Sequence, residues 1–203
     1  MQEVKFPIVE IFSSIQGEGV NLGKPANFIR FAGCNLNCEW CDTEWKQARE
    51  HLDIKTILGR LDPAVDLVVL TGGEPTIQKD LMKLVQALLD AHYEVAMETN
   101  GTRPTREYWD KGVHISCSPK PATLWGIDDQ CFYDELKYVV DEEFDVVFIK
   151  PEERDVTIWL QPEGGNMQQS WKKALEIQRQ YKKRWCDTDI RIGVQLHKIM
   201  EVR

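Results

Sequence analysis

Residues 65–70 read VDLVVL and are followed at once by TGGEP at 71–75. A short, nearly continuous apolar run bounded by turn residues predicts a strand buried on both faces, as in the interior of a parallel sheet. The glycines and Pro75 stop it. Beyond them Leu81, Leu84, Val85 and Leu88 recur at helical spacing, with Asp80 placed to cap the helix. Strand, loop and helix in that order demand a layered α/β architecture.

The rest of the chain repeats the theme. Strands are predicted over 6–12 (FPIVEIF), 27–32 (NFIRFA), 94–99 (EVAMET), 113–117, 135–140 (ELKYVV), 156–160 (VTIWL) and 190–196. A short helix beginning with proline is predicted over 104–110. A longer one is predicted over 170–185, where Trp171, Ala174, Leu175, Gln178, Tyr181 and Trp185 recur on one side. Apolar strands separated by crossover lengths indicate a mainly parallel sheet, open or partly curled. With 203 residues the chain reads as one domain over 1–203, without internal repeats. A complete eightfold barrel would need ~250 residues.

Lys and Arg number 25 against 33 Asp and Glu, a formal charge of -8, which argues against tight nonspecific binding to nucleic acid. There is no long apolar run of membrane-spanning length, and the N-terminus lacks the basic flank and apolar core of a secretion signal. A cytoplasmic chain is expected, with no membrane and no nucleic-acid partner. Its six cysteines are then reduced thiols.

Three of the six fall close together, as C-x3-C-x2-C at Cys34, Cys38 and Cys41, in a loop that leaves the strand at 27–32. Thiolates suit soft metals and iron–sulfur clusters, and three ligands on a four-iron cube leave one iron open to a small chelating ligand. Two other readings stay open on the residues alone. One is a zinc site completed by Asp42, His51 or Cys117. The other is a buried helical face, against which Gly33 and two asparagines argue. In TGGEP the two glycines let backbone approach a ligand at a strand's C-terminal end, and Glu74 adds a carboxylate suited to an amine.

CNLNCEWC at 34–41 and GGEP at 72–75, each after a strand, resemble the radical S-adenosylmethionine superfamily. The resemblance implies a compact, incomplete parallel (β/α) barrel with its cluster loop near 33–43. It also implies a [4Fe–4S] cluster on three cysteines, S-adenosyl-L-methionine chelated at the fourth iron, and a radical that removes a substrate hydrogen atom. A finer resemblance spans most of the chain. EIFSSIQGEG at 10–19, FIRFAGC at 28–34, WCDT at 40–43, TGGEP at 71–75, ETNG at 98–101, SPK at 118–120 and QP at 161–162 are similar to the 7-carboxy-7-deazaguanine synthase family.

That family's reaction, as the resemblance implies, is the radical ring contraction of 6-carboxy-5,6,7,8-tetrahydropterin to 7-carboxy-7-deazaguanine with loss of ammonia. It belongs to queuosine and deazapurine biosynthesis. Carried onto matching positions, Cys34, Cys38 and Cys41 hold the cluster. Trp40, Asp42, Gly73, Ser118, Lys120 and Gln161 contact S-adenosylmethionine. Ile15, Gln16, Gly17, Arg30 and Thr71 bind the pterin, and Thr43 is a ligand of Mg2+. The family also implies a homodimer and a flavodoxin-type or other reductant.

The chemistry of several residues agrees. Arg30 can fork onto a carboxylate, Gln16 and Glu18 suit an aminopyrimidine edge, and a threonine hydroxyl is a hard donor suited to Mg2+. His197, after the last predicted strand, suits substrate or proton handling or a structural hydrogen bond. Cys117, Cys131 and Cys186 read as structural thiols. The acidic segment 141–155 and the basic stretch 171–184 read as solvated faces. Two other functions share some of these features. An activating enzyme that makes a glycyl radical on a protein partner shares the cysteine spacing, but WCDT and QGEG argue against it. A zinc-stapled RNA-binding scaffold would carry zinc instead of iron.

Overall fold

The computed structural model describes residues 4–39, 41, 43–149, 156–164 and 167–202. Strands β1 (Lys5–Ile15) and β2 (Pro25–Phe31) pair antiparallel, and β3 (Glu50–Asp53) joins the other side of β1 before the one-turn helix α1 (Ile54–Leu58). The chain then alternates through β4 (Leu67–Gly72), α2 (Leu81–Asp90), β5 (Glu94–Thr99), α3 (Arg106–Trp109) and β6 (His114–Cys117). It continues through β7 (Glu135–Val140), β8 (Thr157–Pro162), α4 (Met167–Arg184), β9 (Ile190–Ile192) and α5 (Leu196–Ile199). The strands form one nine-stranded sheet in the order β3-β1-β2-β4-β5-β6-β7-β8-β9. Every pairing from β2 to β9 is parallel. The predicted mainly parallel α/β sheet is therefore present, and it agrees with an incomplete barrel.

Because side chains alternate across a strand, each central strand has two unlike faces. On the outer face Ile29, Phe31, Val68, Leu70, Val95 and Met97 belong to one large core with Leu84 and Leu88 of α2 and Ala174, Ile177 and Tyr181 of α4. On the inner face Ala26, Phe28, Leu67, Val69 and Ala96 make a separate small cluster closed by Phe12. Two residues further along the same strands the inner face turns polar, with Arg30 after Phe28, Thr71 after Val69 and Glu98 after Ala96. Parallel strands bring all those polar positions to one end of the sheet. That end is where open α/β sheets bind ligands.

Three local expectations are corrected. The strand expected over 190–196 ends at Ile192. Gly193 N makes the last bond to β8, on Leu160 O, after which Leu196 N turns away to Gly17 O and opens α5. Asp80 precedes α2 in a left-handed conformation (φ 61) and does not cap it; its carboxylate pairs instead with Lys83 Nζ at 2.9 Å. The helix expected to begin at Pro104 begins at Arg106, because Thr105 is tied by its hydroxyl to Phe132 O at 2.5 Å. β3 and α1 were not expected from the sequence; Asp53 caps α1 by accepting from Thr56 N at 2.7 Å. Of the tryptophans, Trp125 is core, stacked against Phe148 with ring centroids 5.5 Å apart and edge-on to Phe144 at 5.0 Å.

Leu70 lies between Ile29 and Met97 in the parallel register and is wholly buried. Truncating it leaves a hole between sheet and helices that a rigid ladder cannot close. Leu70→Ala is expected to lower unfolding stability by ~2–5 kcal/mol, read as a lower denaturant midpoint with an unchanged slope.

Candidate active site

The loop that carries the three cysteines begins at Gly33, whose N–H bonds to Trp45 O at 2.9 Å and so closes the loop's base. Beneath it lies the loop after β4. Gly73 N donates to Phe31 O at 3.0 Å and Glu74 N to Gly33 O at 2.9 Å. A Cβ on Gly73 would stand 1.9 Å from Gly33 O, so only glycine permits this backbone-on-backbone contact. Gly72, at φ +120, is equally constrained against Phe31.

Glu74 does not reach out to an amine, as its sequence context suggested. It is fully buried, and its carboxylate accepts from Thr76 N at 3.1 Å, Thr76 Oγ1 at 2.7 Å, Thr99 Oγ1 at 2.8 Å and Asn100 N at 2.7 Å. A buried charge is tolerated when donors surround it in this way. Glu74 thus ties the loop after β4 to the loop after β5. Asn100 passes the connection on, its Nδ2 donating to Asn35 Oδ1 at 3.0 Å inside the cysteine loop.

Above these loops opens a cavity of about 480 Å³. It brings together twelve of the predicted site residues: Ile15, Gln16, Arg30, Thr71, Gly73, Ser118, Lys120, Gln161, Thr43 and the three cysteines. Gly17 sits just behind the wall, where a Cβ would stand 1.9 Å from Nδ1 of His197, itself a lining residue. Trp40 and Asp42 lie outside the described residues. His51, on edge strand β3, and Cys117, in the outer core, do not line the cavity.

The three thiols line one cavity and are the soft donors that an iron–sulfur cluster needs. Among the described residues no three His, Cys, Asp or Glu side chains converge as ligands of one ion. A cube of irons is gripped at separate corners, so its thiolates need not meet at a point. Burial pushes the Cys34 thiol up, and the charges of Glu74, Cys38 and Cys41 push the same way, against the Leu36 amide bonded to its sulfur at 3.4 Å. Burial likewise raises Cys38, opposed by Lys120. Crowded thiols of this kind ionise together only when a cationic group shares their charge. The cysteine loop therefore fits the [4Fe–4S] group.

The cavity also carries a polar network in which Glu98, Lys137 and Gln195, not expected from the sequence, join the expected Gln16, Glu18, Arg30 and Thr71. Glu98 accepts from Gln16 Nε2 at 3.2 Å and Thr71 Oγ1 at 2.7 Å. Lys137 Nζ bonds to Glu18 Oε2 and lies 3.8 Å from Glu98 Oε1, while Gln195 Nε2 holds Glu18 Oε1 at 2.8 Å. Burial alone would lower Lys137, but Glu18 and Glu98 raise it beyond the usual lysine range. Arg30 Nε is held by Glu10 at 2.8 Å. On the thiol side Lys120 Nζ bonds to Ser118 Oγ at 2.5 Å, with burial and then Lys137 lowering it and Cys38 pulling it back.

Comparison with known proteins agrees with this geometry. Residues 28–115 match the Radical SAM superfamily. The chain is 37% identical to the 7-carboxy-7-deazaguanine synthase of Aquifex aeolicus, over 96% of this chain and 93% of that protein. It is 36% identical to the synthase of Bacteroides thetaiotaomicron, over 97% and 98%. The crystal structure of QueE from Escherichia coli superposes with a TM-score of 0.71 at 25% identity, covering 95% of each chain.

Gly73→Ala is expected to displace the cysteine loop and reduce iron loading on anaerobic reconstitution, with the fold retained by circular dichroism. Cys38→Ala should abolish loading, whereas Cys186→Ala, at an exposed site after α4, should leave iron content unchanged. Loss of iron from the Cys186 variant alone would overturn the ligand set. With its fold, its loop geometry and relatives matched end to end, the chain belongs to the 7-carboxy-7-deazaguanine synthase family of radical S-adenosylmethionine enzymes.

Proposed function

We propose that the cavity is divided into a cofactor half and a pterin half, and that this division carries out the ring contraction of 6-carboxy-5,6,7,8-tetrahydropterin to 7-carboxy-7-deazaguanine with release of ammonia. The observation that carries the reading is the juxtaposition itself. Three cysteines line the cavity, and Arg30, Glu18, Glu98 and Gln16 line it with them.

Cys34, Cys38 and Cys41 would hold the cluster, with Gly73, Ser118, Lys120 and Gln161 against S-adenosylmethionine. When bound, these groups supply the hydrogen-atom abstraction that starts the rearrangement. The chain's own residues bind and orient. Arg30, steadied through Nε by Glu10, directs its terminal N–H groups to the substrate carboxylate. Gln16, Glu18, Thr71 and Glu98 face the pterin's hydrogen-bonding edge, with Ile15 and Gly17 shaping the wall. Ångström-scale positioning of this kind governs whether a reactive group meets the intended hydrogen.

Other assignments rest on the family pattern. Thr43 lines the cavity and offers a hard oxygen for Mg2+ beside substrate oxygens. The enzyme is read as a single-domain, cytoplasmic homodimer supplied with electrons by a flavodoxin-type or comparable reductant. No nucleic acid takes part. Among the described residues no helix is long and apolar enough to cross a membrane.

Anaerobically reconstituted enzyme given dithionite, S-adenosylmethionine, Mg2+ and 6-carboxytetrahydropterin is expected to yield 7-carboxy-7-deazaguanine by mass analysis. Absence of that product from cluster-loaded protein would overturn the reading. Arg30→Met should raise KM roughly 10–100-fold, the loss of a charge-assisted fork, with a smaller change in kcat.

A further inference from the structure

Lys137 has no place in the cysteine chemistry, and its strand neighbours are core. Yet the side chain stands on the inner face of β7, only 10% exposed, between a carboxylate from the turn after β1 and one from β5. Glu18 Oε1 accepts from Gln195 and Oε2 from Lys137. Glu98 Oε1 accepts from Gln16, with Lys137 nearby, and Oε2 accepts from Thr71. A carboxylate has about four acceptor sites, so each retains capacity toward the cavity that both line.

We propose that Lys137 is a positioning residue that sets the pocket's specificity: by spanning Glu18 and Glu98 it holds the two carboxyl groups side by side, so that both turn acceptor oxygens toward the cavity. This rests on the pterin reading above. The amino and ring N–H groups of an aminopyrimidinone edge are donors, and two adjacent carboxylate acceptors match them. Without the cation, two carboxyls in one sheltered space repel, and a proton bound by one turns an acceptor into a donor. The wall would then oppose the edge it is built to receive.

Among the described residues Lys137 is the leading cation acting on Glu98; Arg30 favours the same carboxylate less strongly, and Lys198 also lines the cavity. Glu135, two residues back on the same strand face, adds negative charge, and Trp159 stands at the register position on β8. Lys120, at the exit of β6, repels Lys137 and is bonded to Ser118. Arg30 on β2 is held by Glu10, and His197 of α5 packs on Gly17. Burial favours a protonated Glu98, but Lys137, Thr71 and Gln16 outweigh it and keep the carboxyl below its ordinary range.

The test uses cluster-loaded wild type, Lys137→Met and Lys137→Arg, measuring 6-carboxytetrahydropterin affinity from about pH 6 to pH 9 together with turnover. Wild type should bind with little pH dependence over the range, since a paired carboxylate is ionised throughout it. Lys137→Met should bind roughly 10–100-fold more weakly at the acid end and regain affinity as pH rises and the retained proton leaves. It should also show a protonated carboxyl band in infrared spectra that disappears in the Lys137→Met, Glu98→Gln double variant or its Glu18→Gln counterpart. Lys137→Arg should restore affinity and the flat profile. A Met variant with wild-type affinity, or a loss that neither depends on pH nor is rescued by arginine, overturns the proposal while the pterin reading stands. Failure of cluster-loaded wild type to bind or convert the pterin overturns both.

Discussion

A fully buried carboxylate with four donors around it, Glu74, is the constraint on which the cysteine-bearing part of the site depends. Its oxygens stitch the loop after β4 to the loop after β5, and those two loops are the bed on which the cysteine loop lies. Such a charge is secure only while every donor stays in place, since losing one leaves an unsatisfied group where water cannot reach. The arrangement is therefore stiff by necessity. The glycines before Glu74 complete it, because their lack of Cβ lets the backbone of residues 72–73 touch that of residues 31–33.

One set of strands thus serves two ends. Outward residues of β2, β4, β5, β7 and β8 make the core beneath the helices, and inward residues near the C-terminal ends make the site. Burying charge there would be costly if the groups were single. They come in mutually bonded sets instead: Glu98 with Gln16, Thr71 and Lys137, and Glu135 with Val20 N at 2.9 Å and Trp159 Nε1 at 2.6 Å. Burial would raise Glu135, but hydrogen bonding to His114 and its charge, then Lys137 and the Val20 amide, hold it below the usual carboxylate range.

Much of this was legible in the residues. β5 and β7 span 94–99 and 135–140 as expected, because each is a compact apolar run bounded by turn chemistry. β9 stops short because the chain leaves β8 after the Gly193 N bond to Leu160 O, and β3 is hard to see because EHLD shows too little alternation over four residues. Glu98 and Lys137 were passed over for a physical reason. Within EVAMET and ELKYVV, each with two charged residues, a charge looks like the solvent side of an alternating strand, whereas a parallel strand has no solvent side. A charge on the inward face of such a strand is the available signal for a site. Glu74 shows the converse error, for its placement in a glycine loop suggested ligand contact, and burial assigns it to the scaffold.

The two walls of the cavity are held by different means. Beneath the thiols, backbone bonds between the Phe31–Gly33 and Gly73–Glu74 segments carry the load. The polar wall instead joins the turn after β1 to the segment after β9, through one backbone bond, Leu196 N on Gly17 O at 3.0 Å, and the side-chain contacts of Gln195 on Glu18 and His197 against Gly17. β1 and β9 do not pair as strands, so these contacts close the mouth where the sheet leaves it open. A few isolated bonds between elements that do not pair as strands open at lower free-energy cost than a buried backbone ladder. A wall built that way suits a ligand that must enter and leave each turnover. The stiffer wall suits a cluster that stays.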